Sequence, residues 1–154
     1  DIYNKLSGKC YWVRFCKEDI EKIIEKKACF SPTHSKATML QTLFLNVEKQ
    51  FKKNIFLKLS LARKSGNLVF GFERVKMALN SGDSDILFHA NNGSPKELKR
   101  IKPRSVKLIS VSLFSSSELG KVFNRDNVAH SCVLKGGLAK SLILDVKKLE
   151  GIQN

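Results

Sequence analysis

The sequence is poor in several things that would each have implied a chemistry. No apolar run approaches the roughly 18–20 residues that a membrane-spanning helix needs, and the start carries no signal-peptide pattern. Both observations lead to the expectation of a soluble, cytoplasmic protein with no membrane partner. Four cysteines, Cys10, Cys16, Cys29 and Cys132, include no C-x2-C pair, so a zinc knuckle or ribbon is excluded and no metal is expected. Each has apolar or aromatic neighbours, as in Phe15-Cys16 and Cys132-Val133, where a reduced thiol packs as a small hydrophobe. His34, His89 and His130 have no second ligand at helical or hairpin spacing and are expected to be structural. No Gly-x-Ser-x-Gly elbow is present to activate Ser65 or Ser117. Ala62-Arg63-Lys64-Ser65-Gly66 ends a helix and precedes a strand, the reverse of a phosphate-binding loop's order. A catalyst, a cofactor and a small-molecule substrate are therefore not expected.

Acidic residues are the other scarcity. Against 14 of them stand 28 lysines and arginines, giving a net charge of +14 in 154 residues with 42% hydrophobic content. That combination is basic and globular rather than a disordered basic tail. Ordinary solubility needs only about 2–8 charges in a small domain. The excess is spread, with 14 basic and 6 acidic residues in 1–66 and 14 and 8 in the remainder. A polyanionic partner, structured RNA above all, is the reading that this charge supports.

The chain has room for one domain and an appendage. Residues 10–15 have strand composition, and 17–27 reads as a helix with Ile20, Ile23 and Ile24 on one face, ended by Ser31-Pro32-Thr33. From 37 to 64 there is neither glycine nor proline, and Met39, Leu43, Val47, Phe51, Ile55 and Leu59 recur every four residues. Such spacing sweeps roughly 200° around a straight helix, so one flat partner cannot bury them all. Either one long helix packs on two units in turn, or it breaks near Lys52-Lys53-Asn54. A domain boundary is expected near 47–54. After Ser65-Gly66-Asn67 the pattern alternates: strands at 68–70, 85–90, 107–113 and 127–134, helices at 72–80, 95–101, 116–123 and 138–149. Ser115 and Glu118 have capping-box spacing. The expected fold is α/β: a three-layer α/β/α sandwich with a four-stranded mixed or mostly parallel sheet, preceded by a partial small α/β unit and a long linking helix.

Four groups of residues are candidate contacts. Lys9, Trp12 and Arg14, on the first strand, combine cations with an aromatic that could stack on a base; alternation could equally bury the aromatics as core. Arg63 and Lys64 close the long helix. Gly71, Arg74 and Lys76 open the next helix, whose free N–H groups suit phosphate, and Arg125 and Asn127 occupy a later loop. These last groups could converge at one edge of the sandwich, or be ordinary caps and turns.

The stretch from Leu61 through Gly71-Phe72-Glu73-Arg74-Val75-Lys76 to Gly82, with Ser117-Glu118-Leu119-Gly120 further on, resembles the kink-turn RNA-binding ribosomal-protein superfamily, especially its YlxQ branch, over about 55–150. The resemblance implies an α/β/α sandwich that grips RNA through 71–77 and 125–129. Glu73, Arg74 and Met77 stand where kink-turn readers carry an Asn-Glu pair and a lysine, so it implies general RNA binding rather than a standard kink-turn target. Gly8-Lys9-Cys10-Tyr11-Trp12-Val13 is similar to the back half of a YlxR domain, whose front half is expected upstream of Asp1. Together the two resemble the YlxR-plus-ribosomal-like RNA-binding fusions of alphaproteobacteria. They imply a partial YlxR-like unit at 1–46 and a ribosomal-protein-like domain at 47–154. The implied role is that of a non-catalytic accessory factor in translation, ribosome function or RNA processing, with ribosomal or other non-coding RNA as partner. The alternative is a protein-interaction module docking to an acidic subunit of an RNA-processing or ribosome-assembly complex.

Overall fold

A computed structural model describes Lys22, residues 36–101 and residues 108–153. The strand expected at 10–15, the helix at 17–27 and its Ser31-Pro32-Thr33 stop lie outside the described residues. So do Cys10, Cys16, Cys29, His34 and the candidate contacts Lys9, Trp12 and Arg14.

Helix α1 (Lys36–Lys64) is continuous over 29 residues, as the absence of glycine and proline permits. Its last turn carries Arg63 and Lys64, which suit the negative end of the helix dipole. Gly66, at φ 74°, turns the chain into β1 (Leu68–Phe70). There follow α2 (Phe72–Asn80), β2 (Ser84–His89), α3 (Pro95–Ile101), β3 (Ile109–Val111), α4 (Ser116–Phe123), β4 (His130–Leu134) and α5 (Gly137–Gln153). The alternation is the expected one: β1 spans 68–70 as expected and β2 is shifted by one residue, whereas β3 ends at Val111 and β4 begins at His130, inside the expected spans, because the pairing stops there; residue 107 lies outside the described residues. At the last strand, Asn127 to Ala129 precede the ladder, which β4 enters at His130 opposite His89.

The sheet order is β1-β4-β2-β3. β4 is antiparallel to both β1 and β2, while β2 and β3 are parallel. Three strands therefore run one way, and β4 runs against them from between β1 and β2. The sheet is mixed, and of its three pairings one is parallel. Both central strands are almost wholly buried, because helices cover both faces.

Alternation along the strands assigns residues to layers. Ile86, Phe88 and Val133 join Ile55, Leu59, Leu119 and Leu142 in the core beneath α1, α4 and α5. Leu87 and Cys132 face the other way, onto Val75 and Leu79 of α2 and Ile101 of α3. The result is the three-layer α/β/α sandwich. Phe51, Ile55, Leu59 and Ala62 seat the second half of α1 on this core. Lys58 ties it to α5, with Nζ 2.6 Å from the Ser141 hydroxyl and 2.5 Å from the Asp145 carboxylate.

Candidate functional site

The end of the sheet where β1 stops and β4 begins is built from two turns. Gly71 links β1 to α2 at φ 91° and ψ 147°, a conformation that favours glycine, and its N–H donates to the His130 carbonyl at 3.1 Å. Having no side chain, Gly71 leaves the first-turn amides of α2 without a side-chain cap.

The second turn begins where α4 ends. Asn124 takes the left-handed conformation (φ 54°), the Arg125 N–H donates to the Gly120 carbonyl at 3.0 Å, and the chain doubles back along α4. It is pinned at the far end by the Val128 N–H on the Ser116 carbonyl (2.9 Å) and by the Ser116 hydroxyl on Asn127 Oδ1 (3.1 Å). The start of α4 is held in turn by the Ser115–Glu118 capping box, as the spacing of those residues predicts. Asn92 fastens the neighbouring loop to the same place through the Ser116 N–H and hydroxyl.

Between the two turns lies an open cleft of about 390 Å³, lined by Phe70, Gly71, Phe72, Glu97, Arg125, Asn127 and His130 among others. The Arg125 guanidinium stands 5.8 Å from the Phe70 ring centroid. Over Phe72 lie Arg100 at 5.2 Å and Lys76 at 6.0 Å. Such cation–aromatic contacts hold the charged heads over a surface instead of leaving them to sweep solvent.

Beneath the cleft the pleat directs His89 and His130 to the α2/α3 face, as cross-strand partners. Their rings stack at 4.9 Å with Nδ1 atoms 3.1 Å apart, and His130 Nε2 lies 3.0 Å from Glu97 Oε2. Two Nδ1 atoms at that separation share one hydrogen. Which ring donates depends on tautomer and protonation: a His130 with its hydrogen on Nε2 toward Glu97 accepts from His89 at Nδ1, and a protonated one donates to both partners. Both ring nitrogens of His130 are thus engaged, leaving neither to act on a substrate. The pair also fixes its surroundings: a Cβ on Gly93 would sit 2.7 Å from the His89 ring.

Of the residues expected from sequence, Gly71, Arg125 and Asn127 come together in this cleft, while Lys76 lies over the Phe72 ring. Arg74 lies on the outer side of α2, in a second groove with Phe70, Met77 and Ser81 along the edge strand β1. Arg63 and Lys64 close α1, ahead of β1. Arg63 reaches back to donate Nη1 to the Val122 carbonyl at 2.7 Å, fastening α1 to the end of α4, and Lys64 is exposed. Phe72 falls within the expected 71–77 stretch, whereas Arg100, Glu97, His130 and Phe70 have no local sequence signal. They enter because the sheet brings α3 beside the start of α2.

Among the described residues no group of three or more His, Cys, Asp or Glu is placed to hold a metal ion, and no helix is long and apolar enough to cross a membrane.

A mixed four-stranded α/β/α sandwich with a cation-rimmed cleft at one end of its sheet is the class of protein defined by these features. Similar chains exist among solved structures. One is a protein with unknown function from Bacillus halodurans C, with a TM-score of 0.56 and 18% identity over 60% of this chain and 96% of that one. Another is the Giardia lamblia 15.5kD RNA binding protein, with a TM-score of 0.50 and 13% identity over 67% of this chain and 90% of that one. At such identities the likeness is one of fold. No protein-family model matches the chain, and no curated protein does.

Proposed function

We propose that this chain binds structured RNA and catalyses no reaction. The observation that carries the reading is the convergence of the uncapped start of α2 and the 124–129 loop on one cleft lined by Arg125, with Arg100 and Lys76 over the Phe72 ring that also lines it. Open helix-start amides and guanidinium groups both suit phosphate, and two half-buried phenylalanine rings beside them offer an apolar flank for a base. The +14 charge would draw a polyanion toward this end from a distance. The fold shared with an RNA-binding protein agrees with this reading, as does the resemblance of 55–150 to the kink-turn-binding superfamily and its YlxQ branch. Glu73 and Met77 favour a target other than a standard kink-turn. On the same reading, residues 1–46 form a YlxR-like unit whose Lys9, Trp12 and Arg14 supply a second contact region, and the whole is a cytoplasmic accessory factor in translation, ribosome function or RNA processing.

Filter binding of a panel of structured ribosomal RNA fragments across salt tests the proposal. Several phosphate contacts predict a log–log slope of about −0.7 to −0.9 per contact. Arg125→Ala and Arg100→Ala should each weaken binding and shallow the slope by about one contact. A flat salt profile would sink the idea. Equal affinity of both variants and the parent would move the site elsewhere.

A further inference from the structure

Away from the cleft, α1 and α4 enclose a second depression of about 840 Å³, lined by Leu45, Lys49, Lys53, Phe56, Leu57 and Lys121 among others. Leu45 and Leu57 are 64% and 57% exposed, and Leu61, one turn further, is 53% exposed. Solvating leucines costs free energy that a helix facing only water could avoid by carrying polar residues there. Charge on this face is one-sided in what it leaves unmatched. Glu48 pairs with Lys52 at 2.9 Å, and Glu118 is held by Ser115 in the α4 cap. Lys49, Lys53 and Lys121 have no ion-pair partner among the described residues.

We propose that this groove is a docking site for an acidic amphipathic helix of another protein. The reasoning rests on shape and charge together. Leu45 and Leu57 are twelve residues apart on one helix, about 18 Å along its axis and about 120° around it, with Lys49 and Lys53 stepping between them, so the two leucines end an oblique row across the groove. A partner helix crossing α1 along that row would match it with apolar residues toward its two ends and with Asp or Glu between. Nucleic acid is a poorer fit. The exposed apolar groups are aliphatic, and the Phe56 ring is packed on Phe114 at 4.9 Å instead of being offered as a stacking face. A bilayer is poorer still, because a planar surface cannot follow a hollow between two helices. The inference stands apart from the RNA reading and uses none of the cleft residues.

The test is selection of a displayed library of helical peptides on the full chain, with Leu45→Ser/Leu57→Ser as counter-selection. Both leucines are exposed, so the variant should fold, which circular dichroism checks. Enriched peptides should carry apolar residues about three to four turns apart with acids between. Their affinity should fall by about tenfold or more in Leu57→Ser, and Lys49→Glu/Lys53→Glu should switch preference to lysine-bearing versions of the same peptides. Recovery of no leucine-dependent peptide, or of peptides without acids, would overturn the proposal. So would loss of RNA binding in the leucine variant, or leucine-dependent binding to phosphatidylserine-containing vesicles in place of peptide. Arg125→Ala should leave peptide affinity unchanged and the leucine variant should keep the RNA salt slope, so each reading can fail without the other.

Discussion

Cys132 lies fully buried between the sheet and α2. Burial pushes its thiol up from the ordinary 9.0, partly opposed by the Ser84 hydroxyl that donates to Sγ at 3.4 Å. The folded thiol should therefore resist iodoacetamide in native buffer and react once guanidinium unfolds the chain, as peptide mapping by mass spectrometry would show. The pH dependence has a definite sign. The unfolded chain gives up this proton near pH 9.0 while the folded chain retains it to higher pH, so the stabilising contribution is intact below pH 9.0 and is lost as the pH climbs toward the folded value. Measured against Cys132→Ala, guanidinium midpoints of the parent should decline faster above pH 9.0. That Cys132 packs as a hydrophobe was legible from its apolar neighbours. Its hydrogen bond to a residue 48 positions away was not, nor was the pairing of His89 with His130, since each depends on strand register.

The element that positions the cleft is α4 with the loop that folds back along it. Its capping box could be read from four consecutive residues, because the hydrogen bonds it makes are local. The role of Gly120 could not. A Cβ there would collide with the backbone carbonyl of Arg125 and lie 2.9 Å from that of Asp126, atoms of a passing loop that cannot swing aside as a side chain would. Gly120→Ala should therefore cost roughly 1–3 kcal/mol in a guanidinium titration. It should also weaken RNA binding as Arg125 moves off Phe70. A variant as stable as the parent would mean that the loop does not lie against α4. Gly71 is the complementary case, with open space around it but a backbone conformation, φ 91°, that other residues rarely adopt.

At the scale of the whole molecule, the attachment of α1 to the sandwich combines apolar burial with one specific tie. Lys58 and Asp145 are half-buried and mostly buried, with Ser141 completing the ammonium's partners. A double-mutant cycle of Lys58→Met and Asp145→Ala should give a coupling energy of about 1 kcal/mol by denaturant titration. A value near zero would mean that apolar contacts alone seat the helix. The sheet is a second property of the whole. Strand–helix alternation implied helices on both faces, but it left open a mixed or a mostly parallel sheet. A strand's direction is set by which neighbour accepts its hydrogen bonds, and β4 finds its neighbours in β1 and β2, strands that begin 62 and 46 residues earlier.

By itself the amino-acid sequence determined the basic electrostatics, the alternation of elements from 68 onward, the α/β/α layering and the existence of turns at Gly71 and Arg125, though not their meeting. All of these follow from composition, local propensity and periodicity, which act over a few residues. Tertiary structure alone decided that β4 enters between β1 and β2. It likewise decided that His130 is gripped from both sides by His89 and Glu97, that Arg100 lies over Phe72 while Arg63 is drawn to Val122, and that Leu45 and Leu57 stay exposed beside unmatched lysines. Each of those outcomes depends on which distant surfaces meet when the apolar faces are buried, and no local pattern encodes that choice.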